Sequence, residues 1–247
     1  FDLAFVLLFD RSLNNLNVFE PHYAFWYIFA LFIWRLLIKS TSKIKFLVSF
    51  SIILGLAVGV FDNINLFLSA SRIICFLPFF AFGYKFTESD YNRIKSKKYL
   101  FVLGILGSLI TIILNIKNII PFFMYTFIDS YNYFSVSFSK GFLFRGIIYM
   151  VAFMFIIAFI VIIPNKKTFL STIGERTITI YLFSSFFIQA FFALCPEPFW
   201  SSLNEFLQIL ISLTLTAVIV LLTGNKYVFK IYNKTIDFIS SIFLHKA

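Results

Sequence analysis

The stretch CFLPFFAFGYKF, residues 75–86, ends an apolar run that begins near residue 66. A run of roughly 20 apolar residues is long enough to cross the hydrocarbon core of a bilayer as an α-helix. Two features of this run are unusual. Pro78 lies in its middle, and Arg72 lies just upstream, where a charge is costly in a membrane. We therefore predict a membrane helix that is kinked at Pro78 and whose polar face looks inward.

The composition extends this prediction to the whole chain. Of its 247 residues, 60% are hydrophobic and only 13% are charged, and the mean hydropathy is +0.93. Soluble domains carry about 25% charged residues, so this chain has too little charge to cover the surface of a soluble fold. We predict an all-α integral membrane protein, a polytopic bundle of transmembrane helices in contact with membrane lipids. The net charge of +10 then needs no nucleic acid, because cytoplasmic loops and anionic lipid heads explain it.

Seven apolar stretches predict full spans of a single domain that covers residues 1–247. They lie at about 22–38, 46–61, 66–86, 99–116, 142–163, 177–194 and 203–222. The chain opens with FDLAFVLLF, which we expect to be the tail of a further, partial helix in a C-terminal fragment of a longer protein. Residues 119–127 are expected to lie at the interface or to dip back into the bundle. Residues 226–244 predict either an amphipathic helix on the cytoplasmic surface or a solvated tail.

The basic residues assign the two sides of the membrane. Lys and Arg follow the first, third, fifth and seventh stretches, whereas the intervening loops carry few of them. Cytoplasmic loops are rich in Lys and Arg, so this alternation predicts a multi-pass cell-membrane protein with a cytoplasmic C-terminus. The richness in Lys, Asn, Ile and Phe is compatible with an AT-rich bacterial genome, and we expect a bacterial source.

The chemistry-bearing residues are few. The sequence has no HExxH, P-loop, GxSxG or CxxC motif, and Cys75 and Cys195 suggest neither a disulfide nor a metal site. Arg72 and Arg145 either snorkel to the membrane surface or face the bundle interior, where they could contact a substrate. His22 lies two residues from Glu20, and a histidine beside a carboxylate could act as a general base.

Polar side chains also recur at helical spacing in the sixth and seventh stretches. One stripe holds Thr177, Tyr181, Ser184, Ser185 and Gln189, and the other holds Glu205, Gln208, Ser212 and Thr216. Such stripes either join helices by hydrogen bonds or line a polar path across the membrane. Both interpretations stay open on the sequence alone.

Three stretches together resemble the membrane acyltransferase-3 family, especially its fucose 4-O-acetylase-like members. FEPHYAFWYIFALFIWRLL (19–37) is similar to the family's Trp-Phe-Leu-x-x-Leu-Phe-x-x-Arg span. RIICFLPFFAFGYKF (72–86) is similar to its Phe-Leu-Pro-Phe-Phe-x-x-Gly-Tyr span, and IGERTITIYLFSSFF (173–187) to its late Gly-x-x-Ser/Thr-Leu-x-Ile-Tyr-Leu-x-His span. Two features depart from the family pattern. The family's early span with an Arg and the histidine thought to be catalytic has no counterpart here, and Ser184 stands in place of the late histidine.

The resemblance implies an O-acyltransferase, in the first instance an O-acetyltransferase. It would move acetyl from cytoplasmic acetyl-CoA to a sugar hydroxyl of an envelope saccharide or its lipid-linked precursor, without a bound cofactor or metal. The expected catalytic residues are Arg72, Arg145 and His22, and the expected substrate-binding residues are Glu20, Trp26, Tyr181, Ser184 and Gln189. Tyr84 and Lys85 are expected to contact CoA. The alternatives are a transporter or flippase of lipid-linked saccharides, which polar stripes and Pro/Gly-broken spans would suit, and a non-catalytic membrane scaffold.

Overall fold

The computed structural model describes residues 25–62 and 69–243, and all regular secondary structure within these ranges is helical. The α-helices are α1 (Phe25–Thr41), α2 (Leu47–Ala57), α3 (Ala70–Lys85), α4 (Glu88–Lys95), α5 (Val102–Ile116), α6 (Phe138–Ile162), α7 (Phe169–Gly174), α8 (Thr177–Leu194), α9 (Glu197–Ser202), α10 (Glu205–Thr223) and α11 (Lys226–Phe243). Short 3₁₀ turns lie at Val58–Val60, Lys98–Phe101 and Phe122–Thr126. The prediction of an all-α fold is confirmed for this part of the chain. The predicted partial helix at the start lies outside it.

Four of the seven predicted spans are long and apolar enough to cross a membrane, within the described ranges. They are Lys98–Ile116, Phe138–Ile162, Thr177–Leu194 and Glu205–Thr223. The other three form shorter helices, since α1 has 17 residues, α3 has 16, and α2 with its 3₁₀ turn ends at Val60. At 1.5 Å per residue, α3 is about 24 Å long, which is less than the roughly 30 Å of a hydrocarbon core. The four long helices are compatible with a membrane protein.

Residues 26–164 form one compact unit. Within it α2 packs against α3, and α5 packs against α6. The loop between α5 and α6 contributes to the same core, because Ile120, Met124 and Phe127 are buried whereas Phe122 and Phe123 point outward. Of the two placements predicted for residues 119–127, at the interface or dipping back into the bundle, this packing favours the second.

The helix α3 runs without interruption through Pro78. Proline lacks a backbone N–H and usually breaks or kinks a helix, and we predicted a kink at this residue. Pro78 is fully buried inside a helix that continues to Lys85, so the kink itself stays a prediction. The packing around α3 therefore holds the helix together at a residue that does not favour it.

Residues 165–243, with Phe25, form the second compact unit. Within it α8 and α10 pack together, and α11 contacts both. The side chain of Asn204 caps the start of α10, because its Oδ1 accepts a hydrogen bond from the Leu207 N–H at 2.8 Å. For residues 226–244 the sequence left an amphipathic helix and a solvated tail open. The helix α11 forms over Lys226–Phe243, and apolar and basic side chains alternate along it.

Candidate functional site

Arg145 is completely buried in the core of the unit formed by residues 26–164. It projects from α6, and its Nη1 donates a hydrogen bond to the carbonyl oxygen of Gly55 at 3.1 Å and lies 3.5 Å from Cys75 Sγ. Its Nη2 donates to the carbonyl oxygen of Asp129 at 2.7 Å, and its guanidinium lies 4.9 Å from the ring centre of Tyr131. One side chain thus joins α2, α3, α6 and the loop before α6.

Other buried donors surround this arginine. The hydroxyl of Tyr149 donates to the carbonyl oxygen of Cys75 at 2.7 Å, and the hydroxyl of Tyr131 donates to that of Leu56 at 2.6 Å. We call these side chains, with that of Ser71, the Arg145 cluster: Ser71, Cys75, Tyr131, Arg145 and Tyr149. Burial raises the pKa of Tyr131 to about 12, so its phenol stays neutral and can serve as a donor.

The loop between α5 and α6 reaches the Arg145 cluster through a strained residue. Phe127 has a φ of 56°, in the left-handed region that bulky residues rarely adopt. Its carbonyl oxygen accepts a hydrogen bond from Ser71 Oγ at 2.8 Å, and its ring stacks on that of Tyr149 with centroids 5.4 Å apart. Such a conformation costs about 1–3 kcal/mol and persists only where packing enforces it. The loop is therefore held firmly against the cluster.

Three glycines make room for the two tyrosines of the cluster. A Cβ at Gly141 would lie 2.4 Å from the ring of Tyr131, and one at Gly59 would lie 2.5 Å from the same ring. A Cβ at Gly55 would lie 2.0 Å from the hydroxyl of Tyr149. These distances are far inside van der Waals contact, so the close approach of helices and rings requires residues without a side chain at these positions.

The structure brings together two residues that the sequence analysis selected separately, Arg72 and Trp26. The guanidinium of Arg72 lies 5.0 Å from the ring centre of Trp26, and a cation over an indole face is a favourable contact. Trp26 also packs against Phe76, with ring centroids 5.2 Å apart. Arg72 is half-buried, so it is directed at the protein and keeps some access from outside. This agrees with the prediction that it faces the bundle.

Asp129 adds a carboxyl group to this region. Its backbone carbonyl oxygen accepts the hydrogen bond from Arg145, and the positive charges of Arg72 and Arg145 act on its side chain. Burial raises the pKa of Asp129 and outweighs the two arginines, which act in the opposite direction. This residue was not among those predicted from the sequence. The available signal was a single acid in the aromatic run FFMYTFIDSYNYF (122–134).

The opposite end of α3 carries the two residues predicted to contact CoA. Tyr84 is largely exposed, and the Nζ of Lys85 donates to the carbonyl oxygen of Ser42 at 2.5 Å, directly after α1. Lys95 does the same for α6, donating to the carbonyl oxygens of Ile160 at 3.1 Å, Val161 at 2.9 Å and Ile163. Cations stabilise the negative C-terminal ends of helices. Lys85 thus has a structural contact besides its predicted contact with CoA.

In the second unit, Tyr181, Ser184 and Gln189 lie half-buried on α8. The hydroxyl of Ser184 donates to the carbonyl oxygen of Tyr181 at 2.8 Å. On α10, Thr216 donates to the carbonyl oxygen of Ser212 at 2.7 Å. The hydrogen-bonding capacity of these hydroxyl groups is thus satisfied within their own helices, without a partner helix or a polar path. This is a third interpretation of the polar stripes, besides the two considered from the sequence.

The remaining predicted residues, Glu20 and His22, lie outside the described residues. Among residues 25–62 and 69–243, no group of three or more His, Cys, Asp and Glu side chains could hold a metal ion. Comparison of the chain with protein-family models, with curated proteins and with solved structures finds no match.

Proposed function

We propose that the chain is part of a polytopic membrane O-acyltransferase similar to the acyltransferase-3 family. It would transfer acetyl from cytoplasmic acetyl-CoA to a hydroxyl group of a cell-envelope saccharide or its lipid-linked precursor. The observation that carries the proposal is the grouping of Arg72, Trp26 and Asp129. This group of side chains combines a cation, an aromatic ring face and a carboxyl group whose pKa is raised, all within one compact unit. The three sequence stretches that resemble the family add independent support.

The three residues suit the chemistry of acyl transfer. The saccharide hydroxyl oxygen attacks the thioester carbonyl carbon, the new C–O bond forms, and the C–S bond then breaks to release CoA as a thiolate. Asp129 would accept the hydroxyl proton, because a carboxylate whose pKa is raised is a stronger base. Arg72 would stabilise the negative charge that develops on the carbonyl oxygen, or hold an anionic acceptor. Trp26 would stack against the sugar ring.

Arg145 has a different part in this proposal. Its donors are directed at the carbonyl oxygens of Gly55 and Asp129, and its side chain is completely buried. We therefore regard Arg145 as a positioning residue that fixes Asp129. The predicted base His22 and its neighbour Glu20 stay as alternatives to Asp129.

The proposed donor end is the other end of α3. Tyr84 and Lys85 lie 12 and 13 residues beyond Arg72, which corresponds to roughly 20 Å along a helix. The acyl donor would approach from the Lys85 end and the acceptor from the Arg72 end. The contacts of Tyr181, Ser184 and Gln189 with the acceptor, expected from the sequence, stay a prediction.

The proposal includes seven membrane crossings and a cytoplasmic C-terminus. The shorter helices α1, α2 and α3 would cross with local thinning of the bilayer, which costs only fractions of a kcal/mol per Å of mismatch. Support for the orientation comes from helix ends. The C-terminal ends of α1, α6 and α10 each accept hydrogen bonds from a cation in a segment assigned to the cytoplasmic side, namely Lys85, Lys95 and Arg176. A reporter fused after Lys98 should therefore be cytoplasmic, and one within residues 195–202 should be external.

The test is acetyl transfer from labelled acetyl-CoA in membranes that carry the chain within its complete reading frame, normalised to inserted protein. Arg72→Ala is expected to lower the rate about 10²–10³-fold, and Arg72→Lys to recover part of it, because lysine lacks the planar fork of donors. Asp129→Asn should lower the rate and remove its rise with pH. Lys39→Ala, which alters an exposed cation on α1 outside the family-like stretch, is the matched control. Full activity of Arg72→Ala would end the proposed role of Arg72, and saccharide movement without acylation would identify a transporter instead.

A further inference from the structure

The unit formed by residues 165–243 contains a cleft of about 280 Å³ that the proposed acyl transfer does not use. Its walls come from α7, from Arg176 just before α8, and from the junction between α10 and α11. Two cations, Arg176 and Lys226, line it, and among its lining residues within the described ranges there is no Asp or Glu. An anion would therefore meet two positive charges and no carboxylate among these described residues.

The two cations are available to a ligand in different ways. The Nη1 of Arg176 donates to the carbonyl oxygen of Gly224 at 2.8 Å, which uses one of the five N–H donors of a guanidinium and fixes its position. Lys226 is exposed, and its ammonium lies 5.1 Å from the ring centre of Tyr227. A guanidinium fork with an adjacent ammonium is well suited to the oxygens of a phosphate.

The rest of the cleft is apolar and open. Phe169 is 69% exposed, Leu221 is 61% exposed and Tyr227 is 64% exposed, and all three line the cleft. An apolar rim does not contribute to the binding of a soluble phosphate. In a phospholipid, by contrast, the phosphate is attached close to the acyl chains, which can contact such a rim. The helix α11 continues from this rim with exposed Ile231 and Phe238, as expected for an amphipathic helix lying at a membrane surface.

We infer that this cleft binds the phosphate group of an anionic phospholipid in the leaflet that faces the basic loops. Arg176 and Lys226 contact the phosphate oxygens, and the apolar rim contacts the start of the acyl chains. The inference rests on the membrane placement in the proposed function, and it does not depend on acyl transfer. Loss of acetyl transfer with intact lipid binding would contradict only the proposed function.

The experiment measures lipid binding to the full purified chain in neutral detergent by native mass spectrometry. Phosphatidylglycerol and phosphatidylcholine with the same acyl chains are titrated separately. A cation near a lipid headgroup contributes about 1 kcal/mol, so the double variant Arg176→Gln/Lys226→Gln should bind phosphatidylglycerol about 30-fold more weakly. Its binding of phosphatidylcholine should weaken much less, because the choline cation offsets the charge of the phosphate in that lipid. The matched control is Lys166→Gln/Lys167→Gln, which alters two exposed cations of the same unit that do not line the cleft.

A second variant distinguishes a loss of lipid binding from a loss of folding. Arg176 supports the end of α10, whereas Lys226→Glu leaves the contact between Arg176 and Gly224 intact. Lys226→Glu should therefore fold normally and still lose the preference for phosphatidylglycerol. Equal binding of the two lipids by the unaltered chain, or equal losses in the cleft and control variants, would overturn the inference. Displacement of the lipid by inorganic phosphate or by CoA alone would identify a soluble phosphate ligand and also overturn it.

Discussion

Replacing Gly141 by alanine is expected to destabilise the protein, although the same change usually stabilises a helix. The new Cβ would lie 2.4 Å from the ring of Tyr131, which is at least 1 Å inside normal contact. Tyr131 is also held by its hydrogen bond of 2.6 Å to the carbonyl oxygen of Leu56 and by the guanidinium of Arg145. The ring can give way only by weakening these contacts.

The magnitude follows from three contributions. Overpacking costs about 1–3 kcal/mol, and the lost hydrogen bond costs about 0.5–1.5 kcal/mol. The gain in helix propensity from glycine to alanine offsets about 0.5–1 kcal/mol. The net destabilisation is about 2 kcal/mol, which corresponds to a fall in Tm of roughly 4–8 °C for a chain of this size.

The assay is thermal unfolding of the purified protein in detergent, with two comparisons. Gly146→Ala lies on the same helix, and a Cβ there meets no atom within 4 Å, so Tm should rise slightly or stay unchanged. In a Tyr131→Leu background, Gly141→Ala should lose most of its cost, because the ring that it meets is gone. If Gly141→Ala and Gly146→Ala have the same Tm, or if the cost persists without the ring, the packing described around Tyr131 is wrong.

Three further results are expected. A membrane-impermeant maleimide should label the partly exposed Cys195 and spare the fully buried Cys75, and labelling of Cys75 in the folded protein would contradict its burial. Lys95→Met should lower stability by about 1–2 kcal/mol, because three carbonyl oxygens lose their donor, and the exposed Lys97→Met should not; equal effects would remove the capping role. Burial raises the pKa of Asp129 above its usual 3.8, so the folded state binds this proton more tightly. Its stabilising contribution is complete below pH 3.8 and is lost as pH rises through the folded pKa. Asp129→Asn should flatten that decline in Tm, and an unchanged pH profile would refute the cause.

The sequence alone predicted most of the helices and their approximate bounds. The predicted stretch 177–194 coincides with α8, and 99–116 and 203–222 differ from the observed helical segments by only one or two residues at either end. These predictions succeed because the length and spacing of apolar residues are local properties of the chain. Helix length was predicted less well, since only four of the seven predicted stretches form helices of membrane-crossing length within the described ranges. The helix α3, for example, begins at Ala70, although its apolar run continues upstream into residues outside those ranges.

Tertiary packing alone decided the candidate site. A buried arginine in an apolar stretch indicates that its charge needs partners, but nothing local identifies those partners as Gly55 and Asp129. Equally, Lys85 could be assigned to a membrane side from its position in the chain, whereas its contact with Ser42 depends on how α3 packs beside α1. The raised pKa of Asp129 has the same origin, because the burial that raises it arises only when distant segments meet. Local sequence determines where helices form, and the contacts between helices determine which polar groups are desolvated, paired or left accessible for chemistry.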